Sequence, residues 1–514
     1  MASTGSNRSL SLSAELDGLR SRTLHQLRAQ MSDGDIAGAQ ECAERLHAVL
    51  PNRDRLDENV VLVAYGGGKD SSYTLAFVRA IQLILNDRYG STFRLRSVTN
   101  RHAGMPFAVM NNIERAYRAL HILNDPGCEA LLVDNDVVKP YRLEEPLADD
   151  VVRRNRLDLL MTGHRTRGEG RPTFCNACNL SMVNSFGLAA AHDGGVDVVI
   201  TGDSPEEQRS YYLWVNRLAH SFGQRRDRKD RSNGTGFREF LETTNDIAGA
   251  YFAEIYGSEE QREISERRVA HDVPRRLRFF SIFDDTGYSS SHHWELLTGF
   301  LGFEFDEVAF SFTESDCGNP TLMAHLRGLK CERLYGRGYD EGLAEYRQFA
   351  ERLMRRKEFP QRLIDIIRRR YAGAGAAERM RGMANRFAME AYGLTEEQLI
   401  CMVYAPFADK GERLDLYLER EQPQLAGLAE RIRAVLDAEQ EAQPASDLSA
   451  ALRRFSGLEP ARLRTLYRSP IIDLASDGRK NLVSAILSGD PHKDVIETRH
   501  DPDGPVVHEL LSGR

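Results

Sequence analysis

The chain has no excess of basic charge. Its 68 Lys and Arg stand against 76 Asp and Glu, a formal net charge of −8, so nothing global calls for a nucleic-acid partner, although local basic patches remain open. No apolar run approaches the length of a membrane span. The opening residues, Met1-Ala-Ser-Thr-Gly-Ser-Asn-Arg, contain no hydrophobic segment of the kind a secretory leader needs. Cysteine is sparse too: seven in 514 residues do not make a disulfide scaffold. A cytoplasmic protein with no membrane partner is therefore expected, with room for two or three domains. There is neither an internal repeat nor a low-complexity block.

What is present is one strongly patterned stretch, from Val60 to Leu75. Val60 to Ala64 is a short apolar run rich in β-branched residues, which reads as a buried parallel strand. Gly66, Gly67 and Gly68 follow, then an amphipathic run from Ser71 to Leu85. Strand, glycine turn and helix together place backbone N–H groups around a phosphate at a helix N-terminus. The glycines permit positive φ and leave no Cβ in the way of an anion, and the hydroxyls of Ser71 and Ser72 can add donors. A Walker A loop would need Ser or Thr after Gly68-Lys69, where Asp70 stands. A dinucleotide fingerprint would need a third glycine where Ser71 stands. An ordinary glycine turn in an α/β protein is the bland alternative.

Around this stretch the pattern predicts an N-terminal helical segment (1–57) whose first dozen residues are disordered, then an α/β domain (58–335) and a helical region (336–514). In the middle domain, strands are expected at Phe93–Thr99, running into Asn100, at Ala130–Val133, Val196–Ile200 and Leu277–Ile282. Helices between them, at 107–123, 147–161 and 180–192, imply right-handed βαβ units. The fold class is thus α/β: a Rossmann-like parallel sheet that binds ligands at the carboxyl ends of its strands. The charged insertion 222–276 reads either as a solvated loop or as a cover whose Arg225, Arg226 and Arg228 meet an anionic acceptor. From Leu322 onward the pattern is helical, apart from a linker at 438–446 and a polar tail from Arg499. It assigns no chemistry to 340–514.

Cys175 and Cys178 are spaced so that both sulfurs can face one metal. Cys317 sits on a tight turn with Gly318 and Pro320, and Cys331 could complete a four-cysteine site. Cys42, Cys128 and Cys401 read as small buried hydrophobes. A structural zinc site and reduced cysteines without metal both remain open.

The run Gly66-Gly67-Gly68-Lys69-Asp70-Ser71 resembles the Ser-Gly-Gly-x-Asp-Ser loop of the PP-loop, or N-type, ATP pyrophosphatases of the adenine nucleotide alpha hydrolase-like superfamily. Gly66 replaces the family's first Ser and so lacks one hydroxyl donor. Thr201-Gly202-Asp203 is similar to the family's second signature, with Glu206 and Glu207 where carboxylates often follow; an N-cap by Asp203 or Ser204 is the simpler reading of those residues. The resemblance implies that ATP is held by Tyr65, Gly66, Gly67, Gly68, Lys69, Asp70, Ser71, Ser72, Asn100, Thr201, Gly202 and Asp203. It further implies Mg²⁺ on Asp70 and Asp203, and catalytic roles for Lys69, Asp70 and Cys317.

The order of the cysteines resembles that of the PP-loop tRNA thiolation enzymes, although Cys178 and Cys317 are further apart here. This implies a [4Fe–4S] cluster on Cys175, Cys178 and Cys317, with Cys331 a candidate fourth ligand and Zn²⁺ the alternative metal. The implied reaction is adenylation of a carbonyl oxygen, releasing pyrophosphate, followed by sulfur transfer with loss of AMP. Its partners would be ATP, a sulfur donor (sulfide or a persulfide-bearing protein) and an acceptor, either a tRNA base or a small or carrier-bound metabolite. A homodimer is open to it. An amide-forming ligase or amidotransferase is the rival enzyme; with no cysteine at position 2 to act as a glutaminase, it would take ammonia from a partner chain. A non-catalytic nucleotide-binding protein is the reading of another class. The resemblance covers roughly residues 58–330.

Overall fold

The run Val60–Ala64 forms β1, and residues apolar on both sides can be satisfied only in the middle of a sheet. A computed structural model describes residues 4–174, 176–201, 217–222, 236–257, 260–267, 277–286, 293–304, 319–356, 361–437, 446–475, 481–489 and 493–513, with positions 209, 213, 215, 275 and 359 between them. In it β1 pairs in parallel with β2 (Arg94–Arg101) on one side and β5 (Val198–Thr201) on the other. With β3 (Cys128–Asp134), β4 (Val137–Pro140) and β6 (Arg278–Ser281) the sheet runs β4-β3-β2-β1-β5-β6. Only the β3–β4 pair is antiparallel.

Alternation along β1 divides the two faces. Val61 and Val63 join the layer that includes Leu95, Leu132, Val198 and Ile200, and helices α3 (Lys69–Tyr89) and α4 (Phe107–Ala119) pack on that side. Val60 and Leu62, with Val98, Leu131, Val133 and Val199, meet Ala189 and Ala190 of α7 (Asn176–Ala191) on the other. The expected α/β, Rossmann-like sheet with helices on both faces is what the chain forms. Two strands outlast their apolar pattern: β2 runs through Asn100 to Arg101 and β3 ends at Asp134, where Arg101 is buried against Asp134 (Nε–Oδ1 2.7 Å).

The N-terminal helices α1 (Thr4–Gln30) and α2 (Asp33–Val49) lie on α3. Helix α1 therefore extends through most of the lead expected to be disordered. Arg20 of α1 and fully buried Arg79 of α3 both pair with Asp125 (2.8 and 2.9 Å), so the helical layer is pinned to the turn before β3.

Between β3 and β5 come α5 (Asp149–Thr166) and the short α6 (Gly170–Phe174), joined by a turn with Arg167 and Gly168 at positive φ. The described part of the charged insertion is not a solvated loop. Helix α8 (Gly236–Tyr256) buries Ile247, Tyr251, Phe252, Ile255 and Tyr256. Arg267 is buried and bonds Asp158 of α5 (2.9 Å) and Glu263 (2.9 Å). Arg225, Arg226 and Arg228 lie outside the described residues.

Beyond Pro320 the chain is helical, beginning with α9 (Pro320–Leu329) and α10 (Tyr339–Arg356). The tail corrects the expectation of an all-helical region with a polar end, because β7 (Lys493–Thr498) and β8 (Val507–Ser512) form an antiparallel hairpin. Its last strand lies against α6: Ser512 N donates to Glu169 Oε1 (3.1 Å), and a Cβ on Gly170 would sit 1.7 Å from the Ser512 carbonyl. One apolar core runs from Leu24 to Leu511 without a break near residue 336. No described helix is long and apolar enough to cross a membrane.

Candidate functional site

Strands β2 and β3 are laid down on one side of β1, and the chain then crosses to add β5 and β6 on the other. The order reverses between β1 and β5, so a crevice is left outside their carboxyl ends, the place where open parallel sheets bind ligands. Leu62 faces Val199 and Val63 faces Ile200. Hence Ala64, from which the glycine loop starts, and Thr201, the last residue of β5, end adjacent strands about 5 Å apart. The backbone of Thr201, the first residue of the second segment, thus lies beside the start of the loop. Gly202 and Asp203 themselves, and the Thr201 side chain, lie outside the described residues.

The loop needs its glycine at 67. There φ is +74°, and a Cβ would lie 2.8 Å from Cγ1 of both Val109 and Ile113 on α4. Gly68 caps α3 with extended backbone, and Ser72 N already donates to Gly68 O (2.9 Å). The first-turn N–H groups from Lys69 onward have no acceptor within the helix, so they and the positive end of its dipole face the crevice. Asp70 stands in this first turn with a side chain 59 % exposed, paired with the Lys69 ammonium. That ammonium is largely buried and lies 5.8 Å from the centre of the Phe359 ring, so the C-terminal half reaches the loop.

Two side chains expected at the loop point into the core. Tyr65 is 1 % exposed, with its hydroxyl against Ser72 Oγ (3.1 Å) inside the core. Neither side chain is presented to the crevice. Tyr65 instead acts through its backbone, donating to Val98 O (2.8 Å) and accepting from Thr99 Oγ1 (2.7 Å), which fixes the take-off of the loop. Ser71 Oγ turns back to Gly68 O (3.1 Å), leaving its backbone N–H as the group that faces outward. Asn100, at the carboxyl end of β2, accepts from Ser185 Oγ of α7 (2.9 Å).

Of the cysteines, Cys175, Cys317 and the Cys178 side chain lie outside the described residues; the backbone places Cys178 in the first turn of α7. Cys331 is fully buried just beyond α9, its Sγ 3.7 Å from Glu345 Oε2 and near Arg327 and Arg337. Burial pushes its thiol up to about 12. Cys42 and Cys401 are buried, as their contexts indicate. Among the described residues no group of three or more His, Cys, Asp or Glu is placed to hold a metal. Asp70 offers an exposed hard oxygen beside the loop, which suits Mg²⁺.

At the carboxyl ends of β2 and β3 is a small cleft. Asn100, Arg101, His102 and Asn135 form its sheet side, Arg154, Asn155, Asp158 and Leu159 of α5 another wall, and Phe174, Asn184, Ser185, Glu266, Arg267 and Tyr392 the rest. Sequence reasoning named only Asn100 of these. The others come from segments spread between Arg101 and Tyr392, and only the unusual polarity of Asn100-Arg101-His102 directly after an apolar strand signals them.

Compared with known proteins, the chain matches no family model, and no curated protein and no solved structure is similar to it.

Proposed function

We propose that the chain is an AMP-forming ATP pyrophosphatase of the PP-loop type that adenylates a carbonyl oxygen and then replaces that oxygen by sulfur. The observation that carries the reading is the glycine loop at the switch point, with Gly67 held at positive φ against α4 and the N-terminal end of α3 behind it. Such a cradle binds pyrophosphate through backbone N–H groups. Asp70 would hold Mg²⁺ there, and the ion would offset the charge growing on departing pyrophosphate. Buried Lys69 orients that carboxylate.

In the first step the carbonyl oxygen of an amide-type acceptor attacks the α-phosphorus. The bond from that phosphorus to the β-phosphate oxygen breaks, pyrophosphate leaves with the electron pair, and the acceptor nitrogen loses its proton. In the second, hydrosulfide attacks the carbon, AMP departs with the original oxygen, and the sulfur's proton passes to the nitrogen. Sulfur is preferred over ammonia because Cys178 opens the helix that also lines the cleft at the carboxyl ends of β2 and β3. The cluster reading with three cysteines is preferred over zinc with four because Cys331 is occupied by protein neighbours.

The test is anaerobic purification followed by incubation with ATP, labelled sulfide and a pool of tRNA and small metabolites. Label is expected in a thiocarbonyl product, with about four irons per chain that are lost in Cys175→Ala. Cys317→Ala is expected to abolish transfer while Cys331→Ala leaves it intact. Active protein with one zinc and an essential Cys331 would overturn the sulfur half and favour the amide-forming ligase.

A further inference from the structure

In a chain of net charge −8, one face of the C-terminal half gathers cations. Along α10, Arg347 and Arg355 stand two turns apart with Glu351 between them. Arg352 and Arg356 stand one turn apart in the neighbouring row. Helix α11 (Gln361–Arg370) lies beside α10 and adds Arg368 and Arg369. Strand β7 also packs on α10.

Among the described residues three carboxylates serve these six guanidiniums, and two of the three are shared. Glu351 takes Arg355 (3.2 Å), Arg368 (2.9 Å) and, more loosely, Arg347 (3.9 Å). Asp494 of β7 takes Arg352 (3.2 Å) and Arg356 (3.5 Å), and Asp365 adds a contact to Arg368 (3.4 Å). Arg369 is exposed and meets no acid among the described residues. A guanidinium has five donors, so a shared carboxylate leaves most of them to water. The side chains of Arg352, Arg355, Arg356 and Arg368 stay 41 to 59 % exposed. The dipole of α10 favours cations in its last turn, which accounts for Arg355 and Arg356 but not for Arg352 and Arg347 further back. The strip is a positive surface with donors to spare, unlike the buried, balanced pairs of Arg79, Arg101 and Arg267.

Arg356 ends α10 three residues before Phe359, whose ring lies 5.8 Å from the Lys69 ammonium. Three residues of chain span about 10 Å at most, so a partner seated on the strip stands close to the glycine loop. Arginine rows that repeat by the helical turn match carboxylates at i and i+4 of a second helix, which are about 6 Å apart. Guanidinium and carboxylate then pair in the bidentate geometry that favours Arg. RNA fits the strip less well. It draws affinity from about six to ten phosphate contacts, whereas half the positive charge here is already cancelled, on a chain whose net charge repels so long a polyanion.

We propose, independently of the adenylation reading above, that the strip on α10 and α11 docks an acidic helix of a separate protein and seats it beside the glycine loop.

Fluorescence anisotropy of three labelled probes with the full chain at low salt tests it. The probes are an alanine-rich helical peptide with glutamate at every fourth position, its glutamine counterpart, and oligouridylate. The glutamate peptide is expected to bind and the glutamine peptide not to. Arg352→Glu combined with Arg356→Glu is expected to weaken the glutamate peptide about tenfold or more, because repulsion replaces attraction. Arg94→Glu, at the amino end of β2, is expected to leave it unchanged. Arg352→Gln with Arg356→Gln is expected to give a smaller loss in the same direction, and it replaces the charge reversal if that variant melts early. No binding of the glutamate peptide, equal binding of the glutamine peptide, or undiminished affinity in the folded double variants would overturn the inference. So would oligouridylate that binds more tightly than the peptide and is lost in the same variants, which would give the strip to RNA.

Discussion

Gly67 combines two constraints that no other residue meets. A side chain there would be strained at φ +74° and would also collide with Val109 and Ile113. Gly67→Ala is expected to cost about 2–4 kcal/mol in a denaturant titration, the sum of a left-handed backbone and one overpacked methyl. Asp70 is the opposite case. Its exposed carboxylate contributes little to folding, so Asp70→Asn is expected to melt as wild type does. Its AMP formation is expected to fall by about 10²-fold or more through loss of a charge beside the phosphates.

His164, on α5, has neither ring nitrogen hydrogen-bonded among the described residues. Burial pushes its imidazole down to about 3. The unfolded chain takes up a proton near the ordinary value of 6.5 and the folded one does not. Stability that is complete above pH 6.5 is therefore lost progressively as the pH falls toward 3. His164→Phe is expected to flatten melting temperature against pH over that window. An unchanged slope would mean that other groups set it.

Among the elements, β1 and the loop were legible because their signals are local: a β-branched run, three glycines and a helical period follow one another within Val60–Leu85. The hairpin β7–β8 was not read, although Asp501-Pro502-Asp503-Gly504 is a turn signal between two short alternating runs. Its strands carry charged residues such as Glu509 whose partners lie far away in the chain, and periodicity alone reads them as solvated. In the fold, Glu509 bonds Arg327 (2.9 Å) and Lys330 (2.6 Å), while Lys330 also reaches Glu169 (3.2 Å) beside α6. Burial raises the Glu509 carboxyl, but Lys330 and Arg327 outweigh it and hold it well below the ordinary range. The cleft was invisible for the same reason, since Asn155 and Arg267 acquire meaning only once α5 and the insertion are packed on the sheet end. Glu509→Gln strips a buried carboxylate from two cations and is expected to destabilise the chain by about 3 kcal/mol. Hydrogen exchange is expected to localise the loosening to β7, β8 and α6. Loss spread evenly over the sheet would argue against a clamp.

At the scale of the molecule, the C-terminal half is not an appendage. Phe359 reaches the ammonium beside the loop, β8 seals α6 just before the cysteine pair, and Arg156 of α5 donates to Tyr392 O (3.2 Å). The sheet supplies the switch point and the helices close its carboxyl edge. The central claim is that ATP bound at Gly66–Ser71 is cleaved between its α- and β-phosphates. The direct measurement is chromatography of the nucleotide products after incubating the purified chain with Mg²⁺, ATP labelled at the α-phosphate, sulfide, and a pool of tRNA and small metabolites. The account predicts labelled AMP with an equal amount of pyrophosphate, both lost in Asp70→Asn. Labelled ADP with inorganic phosphate would contradict it.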